Sequence, residues 1–116
     1  MDINKIQGIL SKFASERDWE QFHNPKNLAM ALSVEASELV EVFQWLTSEQ
    51  SNALSNKQMK EVQEEVADVA IYLLRICDVL DINLAGVIKD KIKLNSEKYP
   101  VDLSKGNADK YNQREG

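Results

Sequence analysis

The sequence predicts an all-α protein, four helices in an antiparallel bundle, and three observations carry that prediction. Apolar residues recur at helical spacing in two long segments: Leu28, Leu32, Leu39, Val42 and Leu46, then Val62, Val66, Val69, Leu73, Ile76 and Leu80. Capping residues stand where helices should begin, at Asp2, at Asn24 before Pro25, and at Asn83. No stretch alternates apolar and polar residues as a half-buried strand would.

Taken in order, Asp2 caps a first helix whose inward positions are Ile3, Ile6, Leu10 and Phe13, and which frays near Arg17 to Trp19. Asp18 to His23 reads as a connecting loop. Asn24-Pro25 couples a capping residue to a proline at the first helical position, and the second helix runs to about Leu46. The polar stretch Thr47 to Gln58 leads onward, with room for a short helical turn. A third helix spans about Asn56 to Leu80, and Asn83 caps a fourth that Pro100 terminates. Residues 1–100 therefore read as one helical domain. The remaining stretch, Val101 to Gly116, is polar, lacks an apolar period and is expected to be extended or mobile in isolation.

A chain of 116 residues suits one domain with a real hydrophobic core, and 43% hydrophobic with 28% charged residues is ordinary for a globular protein. No apolar run approaches the roughly 18 residues that span a bilayer, so no membrane partner is expected. The start, MDINKIQGIL, lacks a basic region followed by an apolar one; this predicts no signal peptide and a cytoplasmic location. A net charge of −5 opposes binding to a nucleic acid polymer, which demands clustered Lys and Arg. Cys77, the single cysteine, has no partner for an internal disulfide and falls among Ala70, Leu73 and Leu74 as a small core residue.

The informative anomaly is Glu35, at the centre of the most apolar arc of the second helix, with Glu38 one turn on at its edge. On the third helix Glu65, Asp68 and Tyr72 border the inward stripe at i, i+3 and i+7. Two helices thus each bring two acids toward the core. An ionised carboxylate desolvated without a partner costs roughly several kcal/mol, so four of them require raised pKa values or a compensating cation, most simply a divalent metal. Glu41, Glu61 and Glu64 point outward or sideways and read as solvated.

Written as a motif, the acids are Glu35-x-x-Glu38 and Glu65-x-x-Asp68 with 26 residues between. Here the chain resembles the all-α nucleoside triphosphate pyrophosphohydrolases of the MazG-like superfamily, whose hallmark is Glu-x-x-Glu followed by Glu-x-x-Asp on paired helices. Arg17 to His23, then Pro25, Asn27 and Leu28, then Phe43-Gln44-Trp45, look like the dCTP pyrophosphatase branch in particular. Asp68 to Leu73 and Lys91 to Pro100 continue the resemblance, which covers about residues 3 to 100. It implies magnesium-dependent hydrolysis between the α and β phosphates, with Glu35, Glu38, Glu65 and Asp68 as metal ligands and catalytic groups. Hard oxygen donors of this kind suit Mg²⁺.

The resemblance also assigns Lys91 and Asn95 to phosphate contacts, Tyr72 to the sugar, and Trp19 and Trp45 to a base pocket in which Phe22 and His23 add a wall and a polar contact. Flat rings suit a nucleobase because they stack on it and exclude water. Two departures stand out. Ala36-Ser37 replaces glycines common around the first acidic pair, and Leu10 stands where dCTP-specific relatives can carry a polar residue. Relatives form dimers or dimers of dimers with shared active sites, and the third helix is apolar over roughly half its circumference, so a homotetramer is expected, with a dimer as the simpler case. The implied role is house-cleaning of surplus or noncanonical deoxynucleotides.

Two readings from other classes compete. A di-iron carboxylate bundle needs two Glu-x-x-His pairs, and this chain has one histidine, outside the long helices. A noncatalytic helical interaction module would tolerate the off-centre acids, but Glu35 would be a liability to it.

Overall fold

A computed structural model of the chain describes residues 1–101, 105 and 106, and the α-helices between Ile3 and Lys98 each begin where a side chain closes the first turn. Helix α1 (Ile3–Glu16) starts with the Asp2 carboxylate accepting the Lys5 N–H, and α2 (Pro25–Phe43) with the Asn24 side chain accepting the Asn27 N–H. A short α3 (Ser48–Ser51) and the long α4 (Asn56–Val79) each open on a capping box, Thr47 with Gln50 and Ser55 with Gln58. Helix α5 (Leu84–Lys98) is capped by Asn83. A 3-10 turn, Glu20–Phe22, occupies the stretch read from sequence as plain loop. The expected all-α class holds: the described residues form helices, turns and connecting segments.

Helices α1 and α4 end alike. Asp18 and Asp81 adopt φ of 54° and 55°, the left-handed conformation that aspartate tolerates better than most residues. Each is followed by a residue whose N–H reaches back into the last turn: Trp19 to the Ala14 carbonyl at 2.9 Å, and Ile82 to the Cys77 carbonyl at 2.8 Å. This is the Schellman arrangement. The first of these ends is what aims Trp19. Helix α2 stops at Phe43, short of the expected Leu46, because Thr47 must be extended to cap α3 (φ −71°, ψ 164°) and the chain leaves the helix through a Leu46-to-Phe43 turn bond of 2.9 Å.

Two compact units make up the chain, Met1–Ile82 and Asn83–Gly116. In the first, α4 packs against both α2 and α1, and Ala14, Leu28, Leu74 and Cys77 are buried. The Gln7 amide donates to the Leu74 carbonyl at 3.3 Å, tying α1 to the C-terminal half of α4. Cys77 is a core thiol as expected, and burial pushes its pKa up. In the second unit α5 breaks off before Pro100, as read from sequence. The expected polar tail lies largely outside the described residues. Among those residues no helix is long and apolar enough to cross a membrane.

One expectation needs correcting. Val66, Leu73 and Leu80, placed on the inward stripe of α4, are 50%, 38% and 49% exposed, whereas Leu74, Arg75 and Cys77 are buried. Because α4 serves two neighbours, its buried arc swings toward α1 near the C-terminal end. Periodicity alone gives the arcs of a helix but not which of them is covered.

The α4 cap is a test of how local these elements are. Ser55→Ala removes one half of its capping box and is expected to cost about 1 kcal/mol, roughly a 4 °C fall in melting temperature, read by circular dichroism.

Candidate metal centre and aromatic pocket

Helices α2 and α4 bring Glu35, Glu38 and Glu65 together, with one carboxylate oxygen of each lying within 4.8 Å of the others. All three are half-buried. Oε2 of Glu35 and Oε2 of Glu65 are buried and accept no hydrogen bond from the protein, a costly condition for any carboxylate oxygen. Burial first, then the adjoining Glu38 carboxyl and the charges of Asp68 and Glu65, push the Glu35 pKa up to about 7. Burial, then Glu38 and Asp68, raise Glu65 in the same direction. Asp68 therefore presses on the cluster electrostatically while its own oxygens stand outside the three-carboxylate group.

These residues fit a divalent cation. Orphaned buried oxygens on hard donors, converging from two helices, are what a small oxygen-seeking ion neutralises. Its charge would also offset the repulsion that raises the pKa values of Glu35 and Glu65.

The face of α4 that carries the acids continues. Glu65, Asp68, Tyr72 and Arg75 follow at helical spacing, so the row rises ~15 Å along the axis. At its far end Tyr72 and Arg75 meet α1 around a cavity of about 180 Å³ lined by Leu10, Phe13, Ala14, Trp19, His23, Ile71, Tyr72 and Arg75. Trp19 stands edge-on to Phe13, ring centroids 5.7 Å apart, and tilted against His23 at 6.3 Å. The turn that carries Trp19 and His23 is held to α2 by the Asn27 amide, which donates to the Phe22 carbonyl at 3.1 Å.

The pocket thus gathers Trp19, His23 and Tyr72 of the residues singled out in the sequence, and Leu10 as well. It does not include Trp45, which lies past the end of α2 and is 85% exposed, nor Phe22, which is 59% exposed. Lys91 and Asn95 are exposed one turn apart on α5, in the second unit.

Arg75 was missed. It is 6% exposed, donates from Nε to Nδ1 of His23 at 3.3 Å, and donates to Asp78 at 2.9 Å. Burial, then the Arg75 charge, hold the His23 pKa below its ordinary value. A signal was present: an arginine inside the apolar run Leu73-Leu74-Arg75-Ile76-Cys77 is the same kind of anomaly as Glu35.

Comparison with known proteins agrees with this geometry. Residues 30–113 match the model of the MazG-like family. The chain belongs to the MazG-like family. Among its relatives are dCTP pyrophosphatase 1 of Rattus norvegicus, 40% identical over 111 residues and 94% of this chain, and that of Homo sapiens, 37% identical over the same length. The chain spans 65% of the length of these two curated relatives. A crystal structure of a pyrophosphatase from Archaeoglobus fulgidus superposes with a TM-score of 0.81 at 42% identity, covering 86% of this chain and 94% of that one. The paired acids of this MazG-like chain lie on α2 and α4, which are packed together.

Proposed function

We propose that this chain hydrolyses nucleoside triphosphates between the α and β phosphates, releasing a monophosphate and pyrophosphate, with Mg²⁺ as cofactor. The observation that carries the reading is the carboxylate group of Glu35 and Glu38 from α2 with Glu65 from α4, two of its buried oxygens lacking partners, on an α4 face that continues to an aromatic pocket. Tyr72 is one helical turn from Asp68, ~6 Å along the axis, so a base in the pocket leaves its sugar at Tyr72 and its phosphates toward the acids.

Glu35, Glu38, Glu65 and Asp68 are the residues that would hold the metal. When bound, a divalent ion screens phosphate charge, favours ionisation of water and stabilises charge on the leaving pyrophosphate. The chain's own part is threefold. The acids fix where the triphosphate sits; a carboxylate left free of coordination accepts the proton of the attacking water; and the apolar walls of the pocket exclude bulk solvent from the base. Lys91 and Asn95, on the resemblance, bind phosphate oxygens.

The substrate is dCTP or a related or noncanonical deoxynucleotide, in keeping with the names of the relatives, and the role is house-cleaning of the nucleotide pool in the cytoplasm. Leu10 at the pocket wall offers a base no hydrogen bond, which favours a broad base preference over strict cytosine selectivity. Residues 1–100 form the catalytic domain and 101–116 an appended tail.

The protein acts as a homotetramer, or at least a dimer. Trp45, at 85% exposure, and the exposed Val66, Leu73 and Leu80 of α4 are apolar surface that a second copy would cover, and Trp45 would then border a base site from the neighbouring subunit. Light scattering should return a mass two or four times 13.2 kDa; a monomer at micromolar concentration would refute the assembly.

The deciding experiment is incubation with Mg²⁺ and each nucleoside triphosphate in turn, resolving monophosphate plus pyrophosphate from diphosphate plus phosphate. Monophosphate from dCTP or its analogues is expected, and no cleavage of any nucleotide would return the chain to the interaction-module reading. Trp19→Ala should then raise KM on the order of 10- to 100-fold with a smaller change in kcat, since base–aromatic stacking contributes about 1–3 kcal/mol. An unchanged KM would place the base elsewhere.

A further inference from the structure

We propose that Arg75 is a positioning residue for the aromatic pocket: its Nε–H, donated to Nδ1 of His23, locks the imidazole in the neutral form protonated on Nε2, giving the pocket one fixed donor for an acceptor on the ligand's ring edge. The ligand half of this inference rests on the function proposed above. The lock itself rests on the geometry of the free chain.

A guanidinium has donors only, so the nitrogen it meets must be bare. The contact is Arg75 Nε to His23 Nδ1 at 3.3 Å. With Nδ1 occupied as an acceptor, the single proton of a neutral ring sits on Nε2. Arg75 is not free to turn away. It is 6% exposed and tethered on its other side to Asp78, whose carboxylate accepts from Nη1 at 2.9 Å.

Protonating Nδ1 would break the contact and set a second cation, on a half-buried ring, against the buried Arg75. Among the described residues that line the pocket, none offers a carboxylate to compensate. Helix α1 faces the pocket with Leu10, Phe13 and Ala14; α4 adds Ile71, the Tyr72 phenol and Arg75 itself. Asp78 is engaged by Arg75, and on the ring's own turn Glu20 accepts the His23 backbone N–H through its carbonyl. The depressed His23 pKa, caused by burial and then by Arg75, agrees with this arrangement.

The consequence is a largely apolar pocket to which the imidazole adds one oriented N–H, beside the Tyr72 hydroxyl, the Trp19 indole N–H and the Arg75 guanidinium. Such a site favours a ring presenting a carbonyl oxygen or an unprotonated nitrogen. It disfavours one presenting only donors, because the Nε2–H would be left unpaired.

His23 is the only histidine in the chain, so untagged, ¹⁵N-labelled protein shows a single imidazole in long-range ¹H–¹⁵N spectra. At pH 7 and without nucleotide, Nδ1 should carry the shift of a bare nitrogen and Nε2 that of a protonated one, with a titration midpoint below 6.5. In Arg75→Met, which keeps most of the side-chain volume, the two tautomers should exchange and the midpoint should climb toward 6.5. A wild-type ring protonated on Nδ1, or titrating at or above 6.5, overturns the lock without any variant being needed; so does an unaltered spectrum in a folded Arg75→Met.

The ligand half is read separately, with dCTP and Mg²⁺. Arg75→Met should raise KM about 10-fold while kcat changes less than threefold, and Arg75→Lys, which keeps a donor, should recover part of the loss. An intact lock with KM unmoved in Arg75→Met overturns the recognition role. An intact lock with no turnover of any nucleotide upholds the positioning of His23 and refutes the function proposed above.

Discussion

Glu38→Ala and Asp68→Ala, made singly, are expected to lower magnesium-dependent turnover by at least 10²- to 10³-fold, the usual cost of removing one well-placed electrostatic group from a reacting centre. Helicity should be unchanged. Glu38 stands within the three-carboxylate group, and Asp68 is close enough to raise the pKa of both Glu35 and Glu65. Glu38 hydrogen-bonds within the acid cluster, to Glu35 and Glu65, so removing either acid relieves crowding there and should leave the packing of α2 on α4 intact. The assay is pyrophosphate release under saturating nucleotide and Mg²⁺, with far-ultraviolet circular dichroism as the control for folding. Retained activity in both variants would sink the site.

The second large effect has the opposite sign for stability. Glu35→Gln should abolish turnover, yet raise the melting temperature of the metal-free protein by roughly 2–8 °C, equivalent to about 0.5–2 kcal/mol. The wild-type carboxyl is crowded by burial and by Glu38, Asp68 and Glu65, and its pKa is pushed from 4.5 to about 7. A group whose folded pKa is raised adds stability that is fully present below its unfolded value and lost as pH rises through the folded one. The advantage of the glutamine should therefore be small near pH 4.5 and reach its maximum above pH 7. His23, whose pKa is lowered, works the other way, reducing stability as pH falls below 6.5, but it is common to both proteins and cancels in their difference. Adding Mg²⁺ should stabilise the wild type through binding to the native state and leave Glu35→Gln nearly unmoved. A variant that melts lower than wild type at pH 8 without metal would mean that Glu35 is an ordinary structural carboxylate.

The two experiments share a cause. An arrangement of acids that serves catalysis only when a cation is present is a burden on the free chain, and stability is given up where function requires it. The same logic separates Glu35 from Glu41, which also lies on α2 but is exposed and shows no orphaned oxygen.

Much of this was legible in the residues. Cap signals at Asp2, Asn24-Pro25 and Asn83 marked helix starts correctly because capping is a local contest between a side chain and the first free N–H groups. Glu35 announced itself because a charge on an apolar arc has few benign explanations. Helix ends were harder: α2 stops before Leu46 because Thr47 is committed to the next helix, a conflict between neighbouring elements that an apolar period does not register.

Other features depended on which surfaces meet. The inward stripe drawn through Val66, Leu73 and Leu80 is exposed because α4 turns its C-terminal half toward α1. Trp45 and Trp19 were read as partners, yet the Schellman turn at Asp18 delivers Trp19 to the pocket between α1 and α4 while Trp45 is left in solvent beyond α2. Arg75 looked like one polar residue in an apolar run, and only the approach of the Glu20–Phe22 turn gives it His23 as a partner.

The sequence by itself determined the helical class, the helix starts, the acids of α2 and α4 and the family resemblance, since each depends on spacing within one segment or on a motif read in line. Tertiary structure alone decided that Glu35, Glu38 and Glu65 share one point with two oxygens unpaired, that Trp45 stands apart from Trp19, and that Arg75 governs His23. Those are contacts between segments far apart in the chain, set by how one helix apportions its circumference between two neighbours, and helical period carries no information about that choice.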